Sequence, residues 1–112
     1  MTSVGIFENG EEQTKSIWLA ESVAAGVYGV PMDEMRSRTR GGEAEKARQL
    51  AAYLARVVFE VGFSHLAKVT GRSRAALWHA CKCVEQRREE PQFDTAVESL
   101  EHQLRMAAGA AA

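Results

Sequence analysis

Apolar residues recur every three or four positions through residues 43–61. This spacing places them on one face of an α-helix. The predicted buried stripe consists of Ala47, Leu50, Ala51, Leu54, Val57, Val58 and Val61. The same spacing returns elsewhere, and no segment keeps the alternation of apolar and polar residues that is typical of a half-buried strand. The chain is therefore predicted to be an all-α domain, a compact bundle of five or six helices.

Glycine, proline and serine divide this pattern into separate helices. The predicted helices cover residues 14–30, residues 43–61, a short segment after Ser64, residues 74–89 and a last segment from Phe93 onwards. Residues expected to start or end them are Pro31, Gly62, Ser64, Gly71 and Ser73, because proline and serine favour helix starts and glycine favours helix ends. Trp18 and Tyr53 are expected in the core.

The length and composition indicate one globular domain. The chain has 112 residues, of which 46% are hydrophobic and 26% are charged. The domain is predicted over residues 14–105, between a disordered tail at residues 1–13 and a disordered alanine-rich tail at residues 106–112. No apolar run is long enough to span a membrane, and the first residues do not resemble a secretory signal. We therefore expect a cytoplasmic protein with no membrane partner.

Charge is segregated along the chain although the net charge is only −1. Residues 36–88 contain twelve Lys or Arg and four acidic residues, a balance of +8. Residues 1–35 have a balance of −5 and residues 89–112 a balance of −4. A basic centre predicts a surface that binds a polyanion. The alternative, in which the basic segment pairs with the acidic ends, stays open at this point.

Two helical segments meet at a glycine turn in LAKVTGRSRAALWHACKCVE, residues 66–85. This arrangement is typical of a helix-turn-helix, whose second helix enters the major groove of DNA with its first residues against the bases. Helical spacing directs Leu77, Ala80, Cys81 and Val84 inward. The same spacing directs Arg74, Ala75, Trp78 and Lys82 outward.

Residues 46–88 carry two further motifs. Arg48 and Gln49 precede Ala52, Tyr53 and Leu54, and Gly71 and Arg72 precede His79, Ala80 and Cys81. On these motifs the segment resembles the C-terminal DNA-binding domain of DnaA, the bacterial replication initiator, and short free-standing proteins of that type. The resemblance extends over roughly residues 15–105.

The resemblance implies a six-helix domain that binds double-stranded DNA through the major groove. A basic connector would contact the backbone or the minor groove. The function expected from it is transcriptional regulation or modulation of DNA replication initiation, with replication or transcription proteins as further partners. The chain departs from the family at Ser73, Arg74, Ala75 and Ala76, where the family has Asp-His-Thr-Thr, and at Trp78. The specificity of the family for initiator boxes is therefore not expected to carry over.

Eleven residues are candidates for contact with DNA, through phosphates or bases. They are Arg40, Lys46, Arg48, Gln49, Lys68, Arg72, Ser73, Arg74, Ala75, Trp78 and Lys82. Ser73 is expected first of all to cap its helix. Solvated surface charge is the alternative for each cation, and burial against the first helix is the alternative for Trp78.

The sequence also argues against metal binding and catalysis. His79, Cys81 and Cys83 include zinc-ligand types, but Cys81 would point away from the other two and a structural zinc site needs four converging ligands. No catalytic constellation and no G-x-x-x-x-G-K-[ST] loop are found, so we expect no enzymatic activity, no cofactor and no bound nucleotide. Two other functions remain open: a protein-interaction module that kept the fold and lost DNA recognition, and a small dimeric repressor.

Overall fold

A computed structural model describes the backbone of residues 2–38 and 40–111 and the side chains of residues 10–38 and 40–109. The six helices are α1 (Thr2–Tyr28), α2 (Met32–Met35), α3 (Gly42–Phe59), α4 (Phe63–Thr70), α5 (Arg74–Arg87) and α6 (Pro91–Ala111). This confirms the predicted all-α architecture. In the described part of the chain, none of these helices has the length and apolarity needed to cross a membrane.

Helix α3 lies at the centre of the domain and packs against α1, α2, α5 and α6. Its contact with α1 is the most extensive. Small buried residues on both helices, such as Ala20 and Ala24 on α1 and Ala51 and Ala55 on α3, allow the two backbones to approach closely. The largest fully buried side chains of the domain are Ile17, Leu50, Leu54, Val61, Leu66, Val84 and Val97.

Helices α4 and α5 form the predicted helix-turn-helix. Gly71 ends α4 in the left-handed conformation with φ of 74°, which glycine adopts at little cost. Ser73 is the N-cap of α5, because its hydroxyl accepts a hydrogen bond of 3.0 Å from the Ala76 amide. Both predictions are confirmed. The turn fixes the direction in which the first residues of α5 point.

Three boundary predictions are wrong. Helix α3 ends at Phe59, and Glu60 rather than Gly62 adopts the left-handed C-cap conformation. Gly62 is instead the N-cap of α4, and Ser64 lies inside that helix. Pro31 is the N-cap of α2 rather than its first helical residue.

The buried face of α1 does not include Trp18. Ile17 and Ala24 are buried, whereas Trp18 is 48% exposed and Val27 is 51% exposed. The buried residues follow the line of Ile17, Ala20 and Ala24, and the neighbouring position on a helix is rotated by about 100° from that line. The prediction of a buried Trp18 is therefore wrong, whereas Tyr53, at 7% exposure, is in the core as predicted.

Helix α6 is attached to the rest of the domain by apolar and polar contacts. Val97 and Leu104 are buried, at 1% and 2% exposure. Arg88, at the end of α5, donates hydrogen bonds of 2.9 Å to Tyr53 Oη and to Glu101 Oε2, and it also pairs with Asp94. The assignment of residues 1–13 and 106–112 to disordered tails stays a prediction, since the side chains of residues 1–9 and 110–112 lie outside the described set.

Candidate nucleic-acid interface

A groove of about 660 Å³ lies beside the helix-turn-helix. It is bounded by the segment that joins α2 to α3, which we call the connector, by the start of α3 and by the start of α5. Among the side chains that the structure describes, five arginines and one glutamate line it. The arginines are Arg36, Arg38, Arg40, Arg48 and Arg72, and we call this site the arginine groove. Residues far apart in the chain thus concentrate positive charge in one concave surface.

Arg48 holds the wall of the arginine groove together. Its Nε donates to the Met35 carbonyl at 3.0 Å, and its Nη2 donates to the Glu34 carbonyl at 2.6 Å and to Ser37 Oγ at 3.0 Å. These carbonyls are at the C-terminal end of α2, where helical carbonyl groups lack intrahelical partners and attract cations. Arg48 therefore positions the connector as well as adding charge.

Arg72 lies in the turn between α4 and α5, next to Arg48. Its Nη2 is 3.4 Å from the same Met35 carbonyl, and the side chain is half-buried. Burial, followed by the positive charge of Arg48, lowers the pKa of Arg72, and the opposing effects of Glu21 and Glu45 do not cancel this. Two like charges held this close favour an anion that would relieve their repulsion.

Arg36 attaches the start of the connector to α1. Its Nη2 is 2.8 Å from Oε1 of Glu21, a residue that is only 8% exposed. Burial raises the pKa of Glu21, while the charges of Arg36 and Arg72 act in the opposite direction. The pair fixes one end of the connector, and the exposed Arg38 and Arg40 project from the segment between this pair and α3.

The start of α3 is shaped by the same connector. Gly41 has φ of 79° and Gly42 has φ of 68°, so two successive residues adopt backbone conformations that favour glycine. The Gly41 amide donates to Glu45 Oε1 at 2.9 Å, which holds the turn and directs the only glutamate described in the groove toward the backbone. Its charge still acts on the arginines, since it opposes the lowering of the pKa of Arg72.

Helix α5 turns its aliphatic and thiol side inward, as predicted. Leu77, Cys81 and Val84 are buried, and Ala80 packs against the core. Burial raises the pKa of the Cys81 thiol to about 11, so this cysteine stays neutral. The exposed side carries the residues that we call the outer face of α5: Arg74, Ala75, Trp78 and Lys82.

Side chains on the outer face contact one another and helix α4. Arg74 Nη1 donates to Ser64 Oγ at 3.2 Å. Trp78 is 55% exposed, and Lys82 Nζ lies 5.3 Å from the centre of its ring. Lys82 also forms an ion pair of 3.2 Å with Glu85 on the same helix. Neither Arg74 nor Lys82 is covered by α6, so the outer face is an open surface.

Eight of the eleven predicted DNA-binding residues fall into two groups. Arg40, Arg48, Gln49 and Arg72 line the arginine groove, and the outer face holds four others, with the Ser73 cap between the two. Lys46, which is 3.8 Å from Glu43, and the exposed Lys68 are not among the groove residues. Groove residues that the sequence did not single out for DNA contact include Ser37, Thr70 and His79. They come from three different segments of the chain, so only the tertiary structure reveals that they share one surface.

The thiols and the histidine of α5 do not assemble a metal centre in the described residues, where no group of three or more His, Cys, Asp or Glu is suitably placed. His79 Nε2 and Cys83 Sγ are 3.5 Å apart, one helical turn from each other, and Cys81 is buried on the opposite side. The two cysteines are free thiols, and their separation into different faces follows the prediction.

Comparison with known proteins places this geometry in context. The family model described as the bacterial dnaA protein helix-turn-helix matches residues 19–84, more than half of the chain. A search of curated proteins found no significant match.

Two solved structures have the same fold. One is a crystal structure of a DNA replication initiation factor, with 23% sequence identity and a TM-score of 0.82, and the match covers 92% of this chain and 32% of that chain. The other is the replication initiator DnaA bound to AMPPCP and single-stranded DNA, with 22% identity and a TM-score of 0.76, covering 90% of this chain and 31% of that one. At these identities the likeness concerns the fold alone, and the chain spans about a third of the length of either initiator.

Proposed function

The chain belongs to the bacterial DnaA helix-turn-helix family, and we propose that it is a non-enzymatic domain that binds double-stranded DNA. The observation that carries the proposal is the position of the arginine groove directly beside the start of α5. The helix that would enter the major groove and the cations that would contact phosphates thus lie on adjoining surfaces.

The proposed complex places α5 in the major groove, which is roughly 12 Å wide and admits one helix. The outer face of α5 then meets the edges of the base pairs. Arg38 and Arg40 on the connector, together with Arg72 at the turn, meet the phosphates of the adjacent backbone. Phosphate contacts fix orientation on the duplex without sequence information, and contacts in the groove supply preference among sequences. The domain is therefore proposed to prefer some sequences over others.

The proposed biological role is modulation of DNA replication initiation or regulation of transcription. Both roles need only occupancy of duplex DNA, which this domain can supply without catalysis. A protein with this role would be cytoplasmic and associated with the nucleoid, and replication or transcription proteins would be its further partners. The family of the chain and the replication initiators that share its fold support the first of the two roles.

The test is a titration of labelled duplex DNA with the protein, followed by fluorescence anisotropy at several salt concentrations. Neutralisation of ~4–6 phosphates predicts a slope of about −4 to −5 for log K against log salt. The matched control is Arg105→Gln on α6, because Arg105 is exposed and lies outside the groove residues, and this variant should keep the slope.

Two results would contradict duplex binding. One is an affinity that hardly changes between low and moderate salt, since phosphate contacts always release counterions. The other is folded protein, verified by circular dichroism, that leaves the duplex unbound at low salt. That second result would favour the alternative in which the fold serves as a protein-interaction module.

A further inference from the structure

A second depression, of about 450 Å³, lies on the side of α5 next to the arginine groove. The side chains that line it come from the start of α3 and the second half of α5, and we call this site the thiol pocket. They are Glu45, Lys46, Gln49, Cys83, Gln86 and Arg87. Because Glu45 and Gln49 also line the arginine groove, the two depressions are neighbours.

The Cys83 thiol lies in a line of three polar side chains along α5. His79, Cys83 and Arg87 follow one another at intervals of four residues, so they share one side of the helix. The Cys83 Sγ is 3.5 Å from the His79 Nε2, which can accept the proton of the thiol. The neighbouring Cys81 differs, because burial raises its pKa to about 11. At pH 8 only about one Cys81 in a thousand is then a thiolate, the form that attacks disulfides.

Arg87 brings a positive charge to the thiol pocket. None of the ion pairs among the described residues involves it. Its Nη2 donates to Tyr28 Oη at 2.6 Å, and its guanidinium carbon lies 4.2 Å from the centre of the Phe93 ring. Its Nη1 is buried and has no hydrogen-bond partner in the described part of the chain, although buried polar atoms usually have one. This guanidinium group therefore still lacks an anionic partner.

Lys46 adds a second cation. Its Nζ is 3.8 Å from Glu43 Oε1, and both side chains are more than half exposed, so this ion pair is weak. Gln49 and Gln86 add amide groups that donate hydrogen bonds. The acid in the lining, Glu45, accepts a hydrogen bond from the Gly41 amide at 2.9 Å. The thiol pocket thus places a nucleophilic sulfur beside groups that bind carboxylates.

We propose that Cys83 is a modification site, at which a small acidic thiol supplied as its disulfide becomes attached to the protein and weakens DNA binding. Lys46 and Arg87 attract the carboxylates of the disulfide, and His79 Nε2 takes the proton of the Cys83 thiol. The Cys83 sulfur then attacks one sulfur of the disulfide, and the S–S bond of the reagent breaks. The other half leaves as a thiolate and takes the proton from His79. Cys83 is oxidised to a mixed disulfide while the departing half is reduced to a thiol, so no further oxidant is needed.

The attached group brings negative charge next to the arginine groove. His79 lines that groove and is one helical turn from Cys83. Negative charge at this position repels the phosphates that the groove is proposed to bind. The effect on DNA rests on the proposed function, whereas the attachment itself does not.

The first experiment treats the full chain with oxidised glutathione, the disulfide of an acidic tripeptide, at pH 8. Mass spectrometry of the intact protein counts the adducts, and peptide mapping locates them. We expect a single adduct on the wild type and on Cys81→Ser, and none on Cys83→Ser. Attachment at Cys81, or no attachment to the folded wild type, overturns the inference. If circular dichroism shows that Cys83→Ser is unfolded, peptide mapping of the wild type decides alone.

The rate of attachment tests the role of the cations. Lys46→Gln should slow the reaction with oxidised glutathione by about threefold, as expected for one exposed charge, and leave the reaction with uncharged hydroxyethyl disulfide unchanged. The matched control is Lys15→Gln, because Lys15 is exposed on α1 and lines neither depression. Equal slowing with both disulfides, or no slowing with either, would reject Lys46 as an anion-binding group.

The pH profile of the rate tests His79 as the proton acceptor. With hydroxyethyl disulfide, His79→Gln should react more slowly than the wild type near neutral pH. Its rate should approach that of the wild type as the pH rises, because the thiol then ionises without a base. A constant ratio of the two rates over the whole pH range would reject this role.

Fluorescence anisotropy then compares the modified and the reduced protein on one duplex. The slope of log K against log salt should become shallower by about 1 in the modified protein, and dithiothreitol should restore it. Cys83→Ser should bind equally before and after the treatment. An adduct that leaves affinity and slope unchanged overturns the effect on DNA. If even the reduced protein leaves the duplex unbound at low salt, the proposed function fails, and mass spectrometry still decides whether Cys83 is modified.

Discussion

The arginine groove and the junction between α5 and α6 both concentrate arginines, but their guanidinium groups face different partners. At the junction, Arg88 meets two carboxylates and the Tyr53 hydroxyl, and only 19% of its side chain is exposed. In the groove, Arg48 and Arg72 meet main-chain carbonyl oxygens. At the junction two carboxylates balance the charge of Arg88, whereas in the groove Arg36 pairs with the buried Glu21, and Arg48 and Arg72 contact carbonyl oxygens that carry no net charge.

The comparison shows how arginine can stabilise the fold in one region and bind a ligand in another. A carboxylate neutralises the charge of a guanidinium, so an arginine paired in this way has little attraction left for a ligand. A carbonyl accepts a hydrogen bond but carries no net charge, so the arginine keeps its electrostatic attraction for phosphate. The junction is therefore expected to stabilise the fold, and the groove to bind DNA, and each expectation can be tested separately.

The largest effect is expected from Arg88→Met. Burial alone would lower the pKa of Arg88, but hydrogen bonds with Asp94 and Tyr53 and the charge of Glu101 raise it overall, so the cation is strongly favoured in the folded protein. Its removal leaves Glu101, which is 7% exposed, without its partner. We expect a loss of about 3 kcal/mol in the free energy of unfolding, measured by urea denaturation.

The control for Arg88→Met is Arg105→Met, which removes an exposed arginine from α6 and should change the free energy of unfolding by less than about 0.5 kcal/mol. Below its unfolding transition, the Arg88→Met variant should still bind duplex DNA with the wild-type salt dependence. If the variant instead showed a much weaker salt dependence of DNA binding and no loss of stability, Arg88 would be a DNA contact rather than a stabilising residue.

A second, smaller effect is expected from a double Arg38→Gln, Arg40→Gln variant in the groove. Each arginine is exposed on the connector and is proposed to contact one phosphate. The slope of log K against log salt should become shallower by about 2, or about 1 for each lost contact. The free energy of unfolding should stay within about 0.5 kcal/mol of the wild type, because neither side chain is buried.

A third effect, smaller again, is expected from Ser73→Ala, at the point where the two surfaces of the helix-turn-helix meet. Loss of the hydrogen bond to the Ala76 amide should lower the free energy of unfolding by about 1 kcal/mol. Thermal unfolding followed by circular dichroism measures this. A cap with no phosphate contact predicts an unchanged salt slope, so a slope shallower by about 1 would assign Ser73 to the DNA-binding residues as well.

The local parts of this structure could be predicted from the sequence because the signals are local. The capping serine at Ser73, the glycine at Gly71 and the inward line of Leu77, Cys81 and Val84 all follow from spacing and backbone preference. The outward orientation of Arg74 follows from the same helix geometry. These features needed no knowledge of the remainder of the chain.

Features that depend on tertiary packing escaped prediction. Trp18 has the apolar character of a core residue, but the narrow alanine face of α1 takes the core position and leaves it exposed. Arg87 contacts the hydroxyl of Tyr28, 59 residues away, so no local pattern could separate it from the cations of the groove. Arg48, predicted only as a DNA contact, also holds the end of α2. The sequence predicts cations for contact with DNA, which stays a prediction, but it does not distinguish the cations that hold the fold from those that are exposed.

The smallest effect is expected from Glu21→Gln, which tests the carboxylate that pairs with Arg36 of the groove. Burial raises the pKa of Glu21 above its usual value of 4.5, and this outweighs the opposing charges of Arg36 and Arg72. The folded protein therefore favours the protonated carboxyl, and this stabilisation is present below the ordinary pKa and is lost as pH rises through the raised one.

Glutamine cannot ionise, so the free energy of unfolding of Glu21→Gln should increase relative to the wild type from about pH 4 to neutral pH. Paired urea denaturations across this range measure the difference, in which the titration of all shared groups cancels. A wild type that instead gains stability over the variant as pH rises would mean that the ion pair with Arg36 outweighs burial. The pair of Arg36 with Glu21 would then stabilise the fold as the pairs of Arg88 do, and the contrast between the two regions would concern the remaining four arginines of the groove.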